Sequence, residues 1–379
     1  MKILICPDKF KDCLSAASVA IHLQNGIARV LPEADCKIIP MADGGEGTVE
    51  ALVAATGGQI EQARVHDPLM RSISSFFGIT GDGKTAVIEM AAASGLALLK
   101  PEERNPLLTT TYGTGELIRH ALDKGCKEII LGIGGSATVD GGAGMAQALG
   151  VSFTDDTGWE IRPGGGSLGS INKIDRANLD PRVAQCKIYA ACDVTNPLTG
   201  ALGAAHIFGP QKGATPEMVM LLEGYLKHYA RVIRETVHID VESIPGSGAA
   251  GGMGAGILAL LGGTLKPGVE LISQAVHLED WIGWADLVIT GEGKMDYQTG
   301  FGKTPAGVAN LASRLNKPVL AITGTLGGEP DQFKELGLPM VMPITDRPMT
   351  LEQSISDAGR LLENAAERVF SLIQLGKGL

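Results

Sequence analysis

Aromatic side chains are scarce in this chain, only 4% of its residues. Single-stranded nucleic acid needs aromatic platforms on which its bases can stack. Positive charge is outweighed as well: 32 Lys and Arg face 42 Asp and Glu, a formal net charge of −10, which repels a polyanion from the molecule as a whole. Together the two shortages exclude nucleic acid as the main partner and leave room for a small anion served by a few local lysines. Long apolar runs are missing. Ile257–Leu261 is as long as any, whereas a membrane helix needs about 20 apolar residues, so no membrane association is expected. Metal-like cysteine spacing is missing too. Cys6, Cys13, Cys36, Cys126, Cys186 and Cys192 are scattered with no CxxC, which suits buried or incidental thiols in a reducing compartment. The N-terminus turns polar directly after Ile3-Leu4-Ile5-Cys6, as a first strand does and a signal peptide does not. A cytoplasmic protein is the expectation.

Glycine is present in excess. Its 52 copies follow no Gly-X-Y period and come as pairs and triplets between apolar runs, which predicts loops where backbone approaches a ligand or turns with positive φ. The length of 379 residues fits two domains. Short β-type runs alternate with helical patterns, the mark of α/β architecture with parallel strands. Ile3–Cys6, Lys37–Pro40, Asp286–Thr290, Val319–Thr323 and Met340–Ile344 read as strands of one sheet. Helices are predicted from Ser15 to about Leu31, Glu46–Ala55, Pro305–Leu315 and Leu351–Leu375. Between Gln59 and Ala86 the alternation suggests antiparallel strands, and further α/β units follow near Ile129–Leu131 and Ile188–Ala190. The predicted fold is therefore a discontinuous doubly wound, Rossmann- or flavodoxin-like parallel-sheet domain, residues 1–62 and 282–379. A second α/β domain, residues 63–281, is inserted in it.

Chemistry is sought at strand ends, because doubly wound sheets bind ligands outside the carboxyl ends of their strands. Pro7-Asp8-Lys9-Phe10-Lys11 leaves the first strand, where one Asp and two Lys suit an anionic ligand or form a solvated turn. Asp43-Gly44-Gly45-Glu46-Gly47 opens the second helix, whose N-terminus favours negative charge; helix capping by Asp43 or Glu46 is the alternative. Gly134-Gly135-Ser136 lies between a strand and a helix, the arrangement of a phosphate cradle built from backbone N–H groups. Asp193 and Asn196 end another strand and suit Mg²⁺ or an Asx turn, and Lys212 in a Gly-bounded loop suits a phosphate. Gly246-x-Gly-x-x-Gly251 reads as close packing or nucleotide proximity, with no claim to NAD. Glu292, Asp296 and Lys303 surround a loop ending Gly302-Lys303-Thr304, but Tyr297 stands where a Walker A loop needs its first glycine. These groups suit Mg²⁺, a hydroxyl proton or a phosphoryl group. Arg71, after His66-Asp67-Pro68, suits a carboxylate clamp. No Ser-His-Asp order, GxSxG or HExxH is present.

In order along the chain, PDKFKDCLSA, MADGGEGTVEAL, HDPLMR, IEMAAASGL, TTTYGTGELI, GIGGSATVDGGAGMAQALG, CDVTNPL, FGPQKGA and GEGKMDYQTGFGKTPAGVA resemble the type I glycerate kinases of bacteria. Cys13 stands where that pattern carries Ser. The resemblance implies transfer of the γ-phosphoryl of ATP to D-glycerate with Mg²⁺, giving 2-phosphoglycerate and ADP. It also implies two α/β domains with the active site in the cleft between them. From the placement of charged residues at strand ends, Asp193, Asp296 and Lys9 are the expected catalytic residues, with Asp193 and Asp296 also expected to hold Mg²⁺. Asp8, Lys11, Asp43, Glu46 and Arg71 would bind glycerate. Gly134, Gly135, Ser136, Lys212, Glu292 and Lys303 would bind ATP. Self-association into a homo-oligomer is left open. The competing expectations are a kinase of another hydroxy acid, transfer to the C3 hydroxyl, and a nucleotide-binding regulatory protein without turnover.

Overall fold

The apolar run after Met1 forms the strand Lys2–Ile5, buried along three of its four residues. On one side it pairs in parallel with Asp35–Ile38, on the other with Leu287–Thr290. Val319–Thr323 and Val341–Pro343 continue the sheet outward, again in parallel. Counted in chain order within this sheet, the strands lie 2-1-3-4-5, the flavodoxin-type doubly wound order, whose direction of winding reverses between its first and third strands. The computed structural model describes residues 1–296 and 303–377. This sheet belongs to a unit made of Met1–Asp43, Glu50–Gly57 and Gly268–Leu379.

Its helices follow the sequence pattern closely. Ser15 caps the helix Ala16–Val30 by accepting a hydrogen bond from the Ser18 N–H, and Val19, Leu23 and Ile27 turn inward. That face packs with the sheet and the C-terminal helix Ala358–Lys377 in one core, where Leu361, Leu362, Ala365 and Phe370 are buried. The expected single helix from Leu351 to Leu375 is two. Leu351–Ser356 is capped by Thr350, whose side chain and that of Gln353 form a reciprocal capping box, and the chain breaks at Asp357 before the long helix begins. A Thr-x-x-Gln spacing is the sequence mark of such a start.

The second unit comprises Gly44–Val49 and Gly58–Pro267. Its sheet runs Thr264–Lys266, Lys187–Ala191, Glu128–Gly132, Thr85–Glu89, Ser72–Ile79 and Gln59–His66. The first four are mutually parallel, and the last two form an antiparallel hairpin in continuous register from Gln59↔Ile79 to His66↔Ser72. A boundary at residue 62 would cut that hairpin strand, and one at 282 would cut the helix Leu278–Trp284. The chain instead changes unit at Asp43–Gly44, Val49–Glu50, Gly57–Gly58 and Pro267–Gly268. Hydrophobic alternation marks elements well, but it does not say which neighbour an element packs against.

The close approach of the two long helices in the first unit makes a test. A Cβ on Gly26 would sit 2.2 Å from the Glu363 carbonyl oxygen and 2.8 Å from the Ala366 Cβ. Alanine gains roughly 1 kcal/mol of helix propensity over glycine, and overpacking costs about 1–3 kcal/mol. Here the contact is with backbone, which cannot swing aside, so the clash should win. Gly26→Ala is expected to lower the urea midpoint; an unchanged or higher midpoint would show that the two helices part without cost.

Candidate active site

At the reversal of winding in the first unit, the loops leaving the first and third strands run side by side: the Cys6 N–H donates to Ile289 O and the Asp8 N–H to Gly291 O, both at 2.8 Å. A cavity of about 420 Å³ opens here, lined at one part by Asp8, Lys9, Lys11, Asp43, Glu292 and Lys303. Six of the residues expected from sequence thus meet in one place. Asp8 is 8% exposed. Its Oδ2 accepts a 2.5 Å hydrogen bond from Thr304 Oγ1 and its Oδ1 a 2.7 Å bond from the Lys9 N–H. Burial first, then the neighbouring Asp43 charge, pushes the Asp8 carboxyl up to about 7, against the pull of those two donors and with Glu292 adding to the rise. Lys303 Nζ stands 3.6 Å from Glu292 Oε2. Asp296 belongs to the same unit, on the short strand Lys294–Asp296, with Lys294 Nζ 3.0 Å from its Oδ2. Tyr297 to Gly302, which separate it from Lys303 in sequence, lie outside the described residues.

In the second unit the glycine loop follows the strand Glu128–Gly132 and leads to the helix Ala143–Ala148. Gly134 and Gly135 are exposed and Ser136 is buried. Lys212 is not at the surface: it is 1% exposed, with Nζ donating to Ser136 Oγ at 2.6 Å and to Thr138 O at 2.7 Å. Burial pushes its amine down to about 7, and Asp140 pulls it back up. The Lys212 ammonium therefore orders the loop from inside. With Oγ of Ser136 occupied as an acceptor, its hydroxyl proton is left to point elsewhere.

Asp140 is the hub of this region, with no exposed surface. Its Oδ2 accepts from the Thr111 N–H at 2.7 Å, Thr111 Oγ1 at 2.8 Å and Thr110 Oγ1 at 3.2 Å, and from the Gly144 N–H at 3.3 Å. Its Oδ1 accepts from the Gly142 N–H at 3.2 Å. Burial raises this carboxyl's pKa, and the Thr111, Gly142 and Gly144 donors lower it. Sequence inspection assigned no role to Asp140 or to Thr109–Thr111. The available signal was a run of three threonines opening one helix and an aspartate inside the glycine loop opening another.

Gly246–Gly251 settles as packing. Gly251 has φ +73°, and a Cβ there would lie 1.9 Å from Thr138 O, so only glycine lets this turn rest on the loop. Glu46 is exposed within the second unit, and Asp193 is exposed at the end of the strand Lys187–Ala191. Asp193 and Asp296 lie in different units. Arg71 is exposed with its guanidinium already engaged: Nε donates to Asp67 Oδ2 at 2.5 Å and Nη1 to Glu103 Oε1 at 2.7 Å.

A doubly wound sheet that presents lysines and buried carboxylates to one cavity at its winding reversal defines an α/β enzyme of anionic ligands. The profile described as the glycerate kinase family matches residues 3–374. The Escherichia coli (strain K12) protein named glycerate 2-kinase is 49% identical over 376 residues, covering 99% of each chain. The Bacillus subtilis (strain 168) glycerate kinase is 47% identical over 377 residues, 100% of this chain and 99% of that one. A crystal structure from Salmonella typhimurium LT2, provisionally assigned as glycerate kinase 2, superposes with a TM-score of 0.93 at 49% identity over the whole of both chains. The chain belongs to the glycerate kinase family, and its enzyme class is that of a kinase.

Two tests follow from the electrostatics. The folded state holds a proton on Asp8 between its ordinary value near 3.8 and about 7, so stability contributed by this site falls as pH rises through that window. Replacing Asp8 by Asn removes the penalty. Measured in chelator, the stability of Asp8→Asn relative to wild type should rise by on the order of 2–4 kcal/mol between pH 4 and pH 8; a constant difference would place the titration elsewhere. Asp140→Asn turns an amide donor toward groups that already donate, and should cost about 3 kcal/mol. Calorimetry showing a loss below 1 kcal/mol would mean that the loop rearranges freely around it.

Proposed function

We propose that the protein transfers the γ-phosphoryl group of ATP to the C2 hydroxyl of D-glycerate, giving 2-phosphoglycerate and ADP. The observation that carries this is full-length similarity near 50% to proteins named glycerate kinase, one of them glycerate 2-kinase. The cavity of the first unit supports it with cations for phosphate and carboxylates for a divalent ion. In the step itself the C2 oxygen bonds to the γ-phosphorus as the bond from that phosphorus to the β,γ-bridging oxygen breaks. ADP leaves with the electron pair, and the hydroxyl proton passes to a carboxylate.

Among the described residues no group of three His, Cys, Asp or Glu is arranged as a metal cage. Mg²⁺ in phosphoryl transfer needs only one or two carboxylates, with water and phosphate completing its octahedron. Asp8, Asp43 and Glu292 fit that demand. They are hard oxygen donors in one cavity, and the Asp43 and Glu292 charges raise the Asp8 carboxyl, as neighbouring like charges do. Bound there, Mg²⁺ would neutralise charge on the phosphoryl oxygens. Lys9, Lys11 and Lys303 contribute further positive charge. Asp193 and Asp296 are the proposed acceptors of the hydroxyl proton. Arg71 and Lys212 are spent on internal partners, so their proposed part is to hold the Asp67–Arg71 turn and the Ser136 loop in shape. We also place the enzyme in the cytoplasm; no helix of the described residues is long and apolar enough to cross a membrane.

A coupled assay for ADP should show turnover that depends on both D-glycerate and Mg²⁺, and phosphorus NMR should find the product at C2. Asp193→Asn or Asp296→Asn, whichever carries the base, should lower kcat by about 10²–10⁴ with the urea midpoint held. Normal turnover in both would remove them from the chemistry. ATP binding without glycerate-dependent ADP release would favour a regulatory protein.

A further inference from the structure

The cavity of the first unit has a second part that glycerate does not explain. Cys13, Ile344, Leu351, Ile355 and Ala358 line it, contributed by the turn after the first strand and by the short helix Leu351–Ser356 with its flanks. The turn Asp8–Cys13 leads from the charged part to this one: Asp8 is held by Thr304 at its start, and the Cys13 thiol donates to Ile355 O at 3.5 Å at its end. Leu351 is 72% exposed and Ile355 39%, so apolar side chains stand in water beside a cluster of lysines and carboxylates. Every carbon of glycerate carries oxygen, and it would leave such a wall wet. A purine has the opposite character, a flat apolar face at one end of a polyanion. Burying apolar surface on both sides is favourable in proportion to area, at about 25 cal/mol per Å². The volume of about 420 Å³ also falls within the range of roughly 300–1,000 Å³ common to pockets for molecules much larger than a three-carbon acid.

We infer that this cavity is the nucleotide site of the first unit, with the purine against Leu351 and Ile355 and the phosphates directed to Lys9, Lys11, Lys294 and Lys303. The assignment rests on the phosphotransferase reading and deepens it. The helix Leu351–Ser356 becomes a specificity element, and the glycerate subsite lies away from it. Cys13 becomes a native reporter at the base end of the site.

The test uses the whole chain and its own thiols. N-ethylmaleimide labelling at pH 8, followed by peptide mass spectrometry, gives the rate at each cysteine with no ligand, with Mg-ADP and with D-glycerate. Saturating Mg-ADP should slow Cys13 by roughly tenfold, as mass action requires of a thiol covered in the bound state. Cys36, Cys186 and Cys192, which are also partly exposed, should keep their rates, and glycerate alone should leave Cys13 unchanged. Protection of Cys13 by glycerate, equal labelling with and without Mg-ADP, or a uniform slowing of all four thiols would each overturn the assignment. As a second arm, Ile355→Asp should raise KM for ATP by about tenfold and KM for glycerate by less than about twofold; the reverse pattern would overturn it. Should the enzyme show no glycerate-dependent ADP release, the proposed reaction falls, while Cys13 protection still reports on the nucleotide site.

Discussion

Two strands carry the first unit. Lys2–Ile5 and Leu287–Thr290 lie side by side in parallel, although Thr290 and Cys6, joined by a 3.1 Å hydrogen bond from the threonine hydroxyl, are 284 residues apart in sequence. Because winding reverses between them, a crevice opens outside their carboxyl ends, beside the two loops that the Asp8 N–H to Gly291 O bond still holds together. Asp8 and Glu292 are delivered to that crevice by strand length, not by any local preference of their own. A carboxylate placed there is removed from water beside two others, and the fold accepts the cost because Thr304 and the Lys9 N–H donate to it.

The second unit spends its charges differently. Asp140 and Lys212 have almost no exposed surface, and each draws loops together: Asp140 the threonine run and the glycine loop, Lys212 the Ser136 turn and its own. Buried charges of this kind add little net stability, since desolvation offsets attraction, but removing one partner leaves the other exposed to the full penalty. Their value is geometric. They hold exposed Gly134 and Gly135 backbone in one arrangement without placing a side chain on the outer surface of the loop. A chain of net charge −10 in this way keeps its inner charges paired in one unit and concentrates a few lysines around one cavity in the other.

Much of this was legible in the sequence. Short apolar runs located all five strands of the first sheet to within a few residues, the three central ones because a strand buried on both faces has little compositional freedom. Six candidates, Asp8, Lys9, Lys11, Asp43, Glu292 and Lys303, share a cavity because each follows a strand or opens a helix at the same sheet edge. Nothing local in the sequence distinguishes a lysine that faces solvent from one turned inward, so Lys212 read as a phosphate contact and proved an internal clamp. Arg71 likewise read as free for a ligand, although its carboxylate partner Glu103 is 32 residues away. Asp140 was passed over because a single acid among glycines carries no visible pattern.

By itself, then, the sequence determined the α/β class, the order of strand and helix, and the loops rich in glycine and charge. Those properties come from periodicity and local sterics, which act over a few residues. Tertiary structure alone decided which unit each element joins, which charges face inward, and that the residues around Leu351 and Ile355 line the same cavity as the turn after the first strand. Such outcomes depend on contacts between segments hundreds of residues apart, and on the balance between desolvation and pairing at each buried group, neither of which a local pattern encodes.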